Sequence, residues 1–145
     1  MTQQWYRGEF TISTDTQRLN LELIHNFLTH SYWASGRKLA EVKKSIDNSL
    51  PFGIYWRTEQ IGFARVITDK TTYAYLCDVF IVESFRGKGL GKWLVETIIS
   101  HPEFQGLGKW SLATADAHQL YRQLGFAEAK YPSRHMEKWG EDLQL

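Results

Sequence analysis

The sequence predicts an α/β (α+β) domain on a mixed central sheet, with an antiparallel meander giving way to one parallel crossover. Three observations carry this. Residues 52–57 and 61–68 are apolar, strand-like runs joined by the short polar turn Thr58-Glu59-Gln60. Residues 73–82 form a longer run, rich in aromatic and β-branched side chains and apolar on both alternating sets of positions. Directly after it, residues 86–92 read R-G-K-G-L-G-K and open a segment whose Leu90, Trp93, Leu94, Thr97 and Ile98 fall on one helical stripe.

Taken in order, residues 10–13 predict a short first strand. Thr14 with Gln17 can form a capping box before a helix carrying Leu19, Leu23, Ile24, Phe27 and Leu28. Gly36 marks a break, and Leu39, Val42 and Ile46 mark a second helix that ends before Pro51. After the meander, the glycine run, its helix and a strand at residues 110–113 make a right-handed βαβ crossover. Asp116 with Gln119 can cap a last helix that Gly125 stops near Leu124, and residues 134–139 are expected to return as a final strand.

The glycine run sits where a strand meets a helix N-terminus, whose first amides lack intrahelical acceptors and lie at the positive end of the macrodipole. An oxyanion of phosphate fits that position. Glycines allow close approach and positive φ, and Arg86, Lys88 and Lys92 add charge. Spacing excludes two familiar phosphate motifs. A P-loop needs glycine where Arg86 stands and Ser or Thr where Trp93 stands, and a dinucleotide fingerprint starting at Gly87 needs glycine where Lys92 stands.

What fits is R-x-x-G-x-G, formed by Arg86, Gly89 and Gly91, and here the chain resembles the GNAT superfamily of N-acetyltransferases, whose acetyl-CoA signature has this form at this junction. A second likeness lies in T-A-D-A-H-Q-L-Y-R-Q-L-G-F at residues 114–126, where L-Y followed by G-F resembles a later family motif. The resemblance is strong over about residues 60–126 and architectural elsewhere. It implies a sheet of six to seven strands with about four helices, in which the two parallel strands splay apart and pantetheine lies between them.

By the same resemblance, main-chain groups of Val79, Phe80 and Ile81 would pair with pantetheine, and one N–H, at Phe80, would polarise the thioester carbonyl. The amides of Arg86, Gly87, Lys88, Gly89, Leu90 and Gly91, with Lys92, would hold the pyrophosphate. Thr114 stands where relatives often carry an Asn that contacts CoA; its hydroxyl cannot reproduce an amide's donor and acceptor pair. Tyr121 occupies the position of a tyrosine that protonates the departing thiolate, with helix packing as the other role open to it. A phenol near pKa 10 suits a sulfur anion of comparable basicity.

Asp78 interrupts an apolar strand. Burial is expected to raise its proton affinity, which suits a catalytic base or an anchor for a cationic amine. The alternative is a structural carboxylate satisfied by a neighbouring Arg such as Arg65. Cys77, the single cysteine, excludes an internal disulfide, and it reads as core rather than as an acyl-carrying nucleophile. The five histidines form no metal signature: His25 and His30 are five apart, on different helix faces, and His118 and His135 lie near the expected site.

At 145 residues and 43% hydrophobic, the chain is expected to be a single domain over residues 1–145. A net charge of +1 without a dense basic cluster argues against nucleic acid. The absence of an apolar leader or membrane-length stretch leads to the expectation of a cytoplasmic protein without a membrane partner, monomeric or homodimeric. The expected cofactor is acetyl-CoA, as co-substrate, with no metal.

The expected acceptor is a small-molecule amine, held by aromatic side chains among which Tyr32, Trp33 and Tyr75 are the candidates, with Tyr55, Trp56 and Asp78 beside them. Core packing accounts for many of these aromatics equally well. The rival functions are an acyl-CoA-binding sensor without turnover and a protein or peptide N-acetyltransferase.

Overall fold

The computed structural model describes residues 1–140, which divide between Thr114 and Ala115 into two compact units. The first contains β1 (Gln4–Arg7), β2 (Phe10–Ser13), α1 (Leu21–Thr29), α2 (Leu39–Asp47), β3 (Leu50–Trp56), β4 (Glu59–Thr68), β5 (Tyr73–Ile81), α3 (Leu90–Ile99) and β6 (Lys109–Ser111). Its six strands form one mixed sheet in sequence order, antiparallel throughout except for the parallel β5–β6 pair. Meander, crossover and helices therefore follow the predicted plan.

Local chemistry sets the boundaries. Asn20 Oδ1 caps α1 by accepting from Leu23 N–H at 3.0 Å, so the helix starts at Leu21 and not after the expected Thr14–Gln17 box. Asp15 instead caps a short 3-10 turn, accepting from Gln17 N–H. Pro51 lies within β3, opposite Arg65 of β4, at a level β2 does not reach because its pairing stops at Ser13–Gly53. A missing N–H is harmless on that open edge. Asp69 tightens the β4–β5 turn by accepting from the amides of Thr71 and Thr72 at 2.8 and 2.7 Å.

Strand β1 was not expected from the sequence. It pairs Arg7 with Phe10 across a two-residue Gly8-Glu9 turn, with Gly8 at φ 58°, and this glycine was the available hairpin signal.

Successive residues on β5 reach opposite faces. Phe80 stacks on Phe27 of α1, ring centroids 3.9 Å apart, and joins a buried cluster with Ile24, Leu28, Val42, Ile46 and Phe63. Ile81 points the other way, where its Cγ1 would lie 3.7 Å from a Cβ on Gly91 of α3. Helices α1 and α2 thus cover one face and α3 the other.

The second unit contains α4 (His118–Gln123), closed at Gly125 with φ 96° as predicted. Its N-cap is Ala117, without a side-chain cap bond, rather than Asp116. The expected final strand at 134–139 is absent: Pro132–Arg134 is a 3-10 turn and residues 135–140 are irregular and exposed. That stretch follows a proline and has only Met136 and Trp139 as apolar residues, which lie three apart, so it offers a sheet no continuous apolar face.

Candidate active site

The parallel pairing of β5 with β6 covers only Tyr73–Lys109, Ala74–Trp110 and Tyr75–Ser111. Beyond Tyr75, β5 continues for six residues to Ile81 with no strand on that edge among the described residues. β6 ends at Ser111, opposite Tyr75, and this leaves the edge of β5 beyond it open. Within the open stretch the β4–β5 register slips: Arg65 faces Cys77 while Phe63 faces Phe80, so Ala64 stands opposite both Asp78 and Val79. This is a β-bulge with Asp78 in the left-handed region at φ 55°.

The bulge and the pairing alternation decide which main-chain groups face outward. Val82 N–H donates to Ile61 O at 2.8 Å, and two residues earlier Phe80 pairs with Phe63. Alternation turns the peptide groups of Phe80 toward β4 and those of Ile81 toward the open edge, where Arg86 Nε donates to Ile81 O at 2.9 Å. The expected carbonyl-polarising role of the Phe80 N–H therefore conflicts with the direction in which it points.

Past Val82 the chain is pinned before it reaches the glycines. Phe85 packs against Phe10 and Trp56, with centroids 6.2 and 5.8 Å away, and the Arg86 guanidinium lies 6.0 Å over the Phe27 ring. Gly87 and Gly89 then take φ of 78° and 76°, and Gly89 is the N-cap of α3. Among the described residues, none of the six amides from Gly87 to Lys92 donates to a backbone carbonyl, and the helix start has no side-chain cap. Arg86, Lys88 and Lys92 have no carboxylate partner among the described residues. Six free amides with three uncompensated cations suit a ligand carrying several phosphate oxygens.

Asp78 is the most constrained side chain nearby. Its Oδ1 accepts from Trp33 Nε1 at 2.9 Å, and its Oδ2 accepts from Arg65 Nε at 2.6 Å and Arg37 Nη1 at 2.8 Å. Burial by itself would raise its proton affinity, but the guanidiniums of Arg65 and then Arg37 outweigh it, and the Trp33 indole adds to their effect. The carboxyl is held below the usual carboxylate range. This corrects the expectation of a raised proton affinity: Asp78 is held ionised by three donors, and Arg65 is the partner named as its alternative.

Trp33 (40% exposed) also touches Phe27 and the ring of Tyr32 (61% exposed), so of the six residues expected together Trp33 contacts both Tyr32 and Asp78. Tyr55 and Trp56 stand elsewhere. Tyr55 is buried beneath the Arg18 guanidinium, 4.2 Å over its ring, and Trp56 packs on Phe85. Tyr75 is half-buried, between Ile67 and Ser111 in the paired part of β5, and Thr114 is half-buried at the end of the first unit. Tyr121 of α4 is buried, and its ring meets Phe126 edge-on at 5.9 Å.

Cys77 Sγ donates to Arg65 O at 3.7 Å, and burial pushes its thiol up to about 11, which leaves it protonated and a poor nucleophile. Of the histidines, His25 Nε2 bonds Arg37 O, His118 starts α4, and His135 is exposed beside the last 3-10 turn. The residues missed from sequence are Arg37 and Phe27. Arg37 follows Gly36, at φ 78°, in the loop between α1 and α2, and only its spatial partner distinguishes it from a solvated base.

Comparison with known proteins agrees with this geometry. The family model described as an acetyltransferase (GNAT) domain matches residues 49–128, more than half of the chain, including β3–β5, the glycine turn and α4. A protein of Gibberella zeae named as an acetyltransferase is 29% identical over 116 residues, and one of Gracilaria tenuistipitata var. liui named as an N-acetyltransferase is 36% identical over 74 residues. The matches cover 66% and 48% of this chain, and it spans less than two thirds of the length of these curated relatives, 66% and 41%.

A crystal structure of an acetyltransferase assigned to the GNAT family, from Xanthomonas campestris pv. campestris, is 42% identical and superimposes with a TM-score of 0.90 over 95% of this chain and 98% of that one. With its bulged β5, the open edge of that strand beyond the β6 pairing and its free-amide turn, the chain belongs to the GNAT acetyltransferases.

Proposed function

We propose that this chain is an acetyl-CoA-dependent N-acetyltransferase that moves an acetyl group directly to the primary amine of a small molecule. The observation that carries this is the run of six unpartnered amides from Gly87 to Lys92 beside the open edge of β5. Those amides, with Lys88 and Lys92, would hold the pyrophosphate, and Val79 and Ile81 would offer main-chain groups to pantetheine. Acetyl-CoA, when bound, supplies an activated acyl carbonyl and a thiolate leaving group.

The residues then divide the work. A main-chain donor of the bulged strand serves the developing oxyanion. Tyr121 Oη carries the proton that a departing thiolate takes up. Asp78 holds Arg37, Arg65 and Trp33 in place, and the amine loses its proton to solvent. Cys77, kept as a thiol, takes no part, which favours direct transfer over an acyl-enzyme. The absence, among the described residues, of a helix long and apolar enough to cross a membrane is compatible with the cytoplasmic setting that a soluble amine would require.

The test is a panel of amines with acetyl-CoA, read by release of free thiol, together with calorimetric titration of CoA. Thiol release that depends on one class of amine supports the proposal. Tight CoA binding with no release across the panel replaces it with an acyl-CoA-binding module.

A further inference from the structure

Two guanidinium groups converge on one carboxylate at the open edge of β5. Arg65 Nε and Arg37 Nη1 both donate to Asp78 Oδ2, at 2.6 and 2.8 Å. Neither arginine has a second carboxylate among the described residues, so the cluster keeps one uncompensated positive charge. Each guanidinium has five N–H donors in a planar fork, and each gives only one to Asp78. The remaining donors have no protein partner among the described residues, yet they are not sealed off: among those residues the one buried side-chain polar atom without a partner is Tyr55 Oη.

The surroundings point to a ligand. Arg65 and Arg37 side chains are 11% and 25% exposed, which leaves their charge only partly hydrated and correspondingly strong toward an anion. One arginine is enough to neutralise Asp78. The second comes from the loop between α1 and α2, where the Arg37 carbonyl meets His25 Nε2 at 3.1 Å and Trp33 shares the same carboxylate. Beside the pair stand the exposed Trp33 and Tyr32 rings, in edge contact at 5.1 Å. A purely cationic amine is repelled by this cluster, whereas an amine that also carries an anion is held by it.

We propose that the acceptor bears an anionic group, carboxylate or phosphate, and that Arg37 and Arg65 bind it in a bidentate manner beside Asp78. This rests on the acetyltransferase reading above. It makes the acceptor an amino-acid-like or phosphorylated amine, with Trp33 and Tyr32 as an aromatic wall for its side chain.

The experiment measures acetyl transfer to two matched pairs: phenylalanine against its methyl ester, and O-phosphoethanolamine against ethanolamine. In at least one pair, kcat/KM is expected to be tenfold or more higher for the anionic member, and which pair responds identifies the anion. Arg37→Gln should remove that preference through KM, with little change in kcat or in CoA affinity, and Arg37→Lys should restore part of it. Equal or better use of the neutral members overturns the proposal and leaves the transferase reading intact.

A calorimetric arm is independent of turnover. N-acetylphenylalanine and inorganic phosphate are titrated into the wild-type protein with CoA present. Saturable binding of one of them, weakened about tenfold in Arg37→Gln, supports the anion site even if no tested amine is acetylated. Absence of binding by both overturns it.

Discussion

Arg65 Nε lies 2.6 Å from Asp78 Oδ2 across the β4–β5 pair, and the bulge at Asp78 is what brings the two together. A regular strand would place Asp78 by strict alternation. The left-handed turn at φ 55° re-aims its carboxylate toward Trp33 and Arg37 as well.

Replacing that carboxylate tests what it does. Asp78→Asn leaves two guanidiniums facing each other without a counter-charge, and a loss of about 3 kcal/mol is expected in urea unfolding at pH 7. Because the folded proton affinity of Asp78 is depressed, its contribution is complete above the unfolded value of about 3.9 and is lost progressively as pH falls from there through the lower folded value. Wild-type stability should therefore show no Asp78-dependent change between pH 5 and 8. In kcat/KM, the rising limb with pH should keep its midpoint in Asp78→Asn; its disappearance would return Asp78 to the role of base.

The glycine turn separates two requirements. Gly89 has φ 76° with open space around a built Cβ, so Gly89→Ala is expected to cost about 1 kcal/mol from backbone strain alone. Gly91 has an ordinary conformation, and a Cβ there lies 3.7 Å from Ile81 Cγ1, so Gly91→Ala should be nearly neutral in stability. Aspartate at either position puts a negative charge among the free amides, and CoA affinity measured by calorimetry should fall at least a hundredfold. Unchanged affinity in both aspartate variants would remove the cradle from cofactor binding.

Tyr121→Phe keeps the edge contact with Phe126 and deletes only the hydroxyl. The expected result in steady-state assays is a kcat lowered about a hundredfold or more, with CoA affinity little changed from wild type. Full kcat in this variant would assign Tyr121 to packing.

Tyr55 offers a stability test remote from the chemistry. Its hydroxyl is fully buried with no partner among the described residues, and burial pushes its proton affinity up to about 12. Tyr55→Phe removes an unsatisfied group while keeping the ring under Arg18, so a gain of about 1 kcal/mol is expected by chemical denaturation. The raised value also means that Tyr55 withdraws stability from the wild type as pH rises above about 10, and the variant should lose this alkaline decline. Gly53→Ala should go the other way by about 2 kcal/mol, because a Cβ there would lie 2.5 Å from Tyr55 Oη.

Much of the fold is visible in local pattern. The strand runs, the helical stripes at Leu39–Val42–Ile46 and Leu90–Trp93–Leu94, and the glycine punctuation each report a period or a φ requirement that neighbouring residues impose. Strand β1 escaped notice because four residues give little periodicity, and the expected strand at 134–139 failed because its two apolar residues, Met136 and Trp139, three apart, would fall on opposite faces of a strand. Arg86 was legible as a cation, but its hold on the Ile81 carbonyl depends on where the strand ends in space.

The sequence by itself determined the order of elements from β2 to α4, the turn that frees six amides, and the family to which the chain belongs, because these rest on contiguous residues and local backbone preference. Tertiary structure alone decided the state of Asp78 and the identity of its partners. Trp33, Arg37 and Arg65 lie 45, 41 and 13 residues from it, and a buried carboxylate is neutral or ionised according to the charges that folding places beside it.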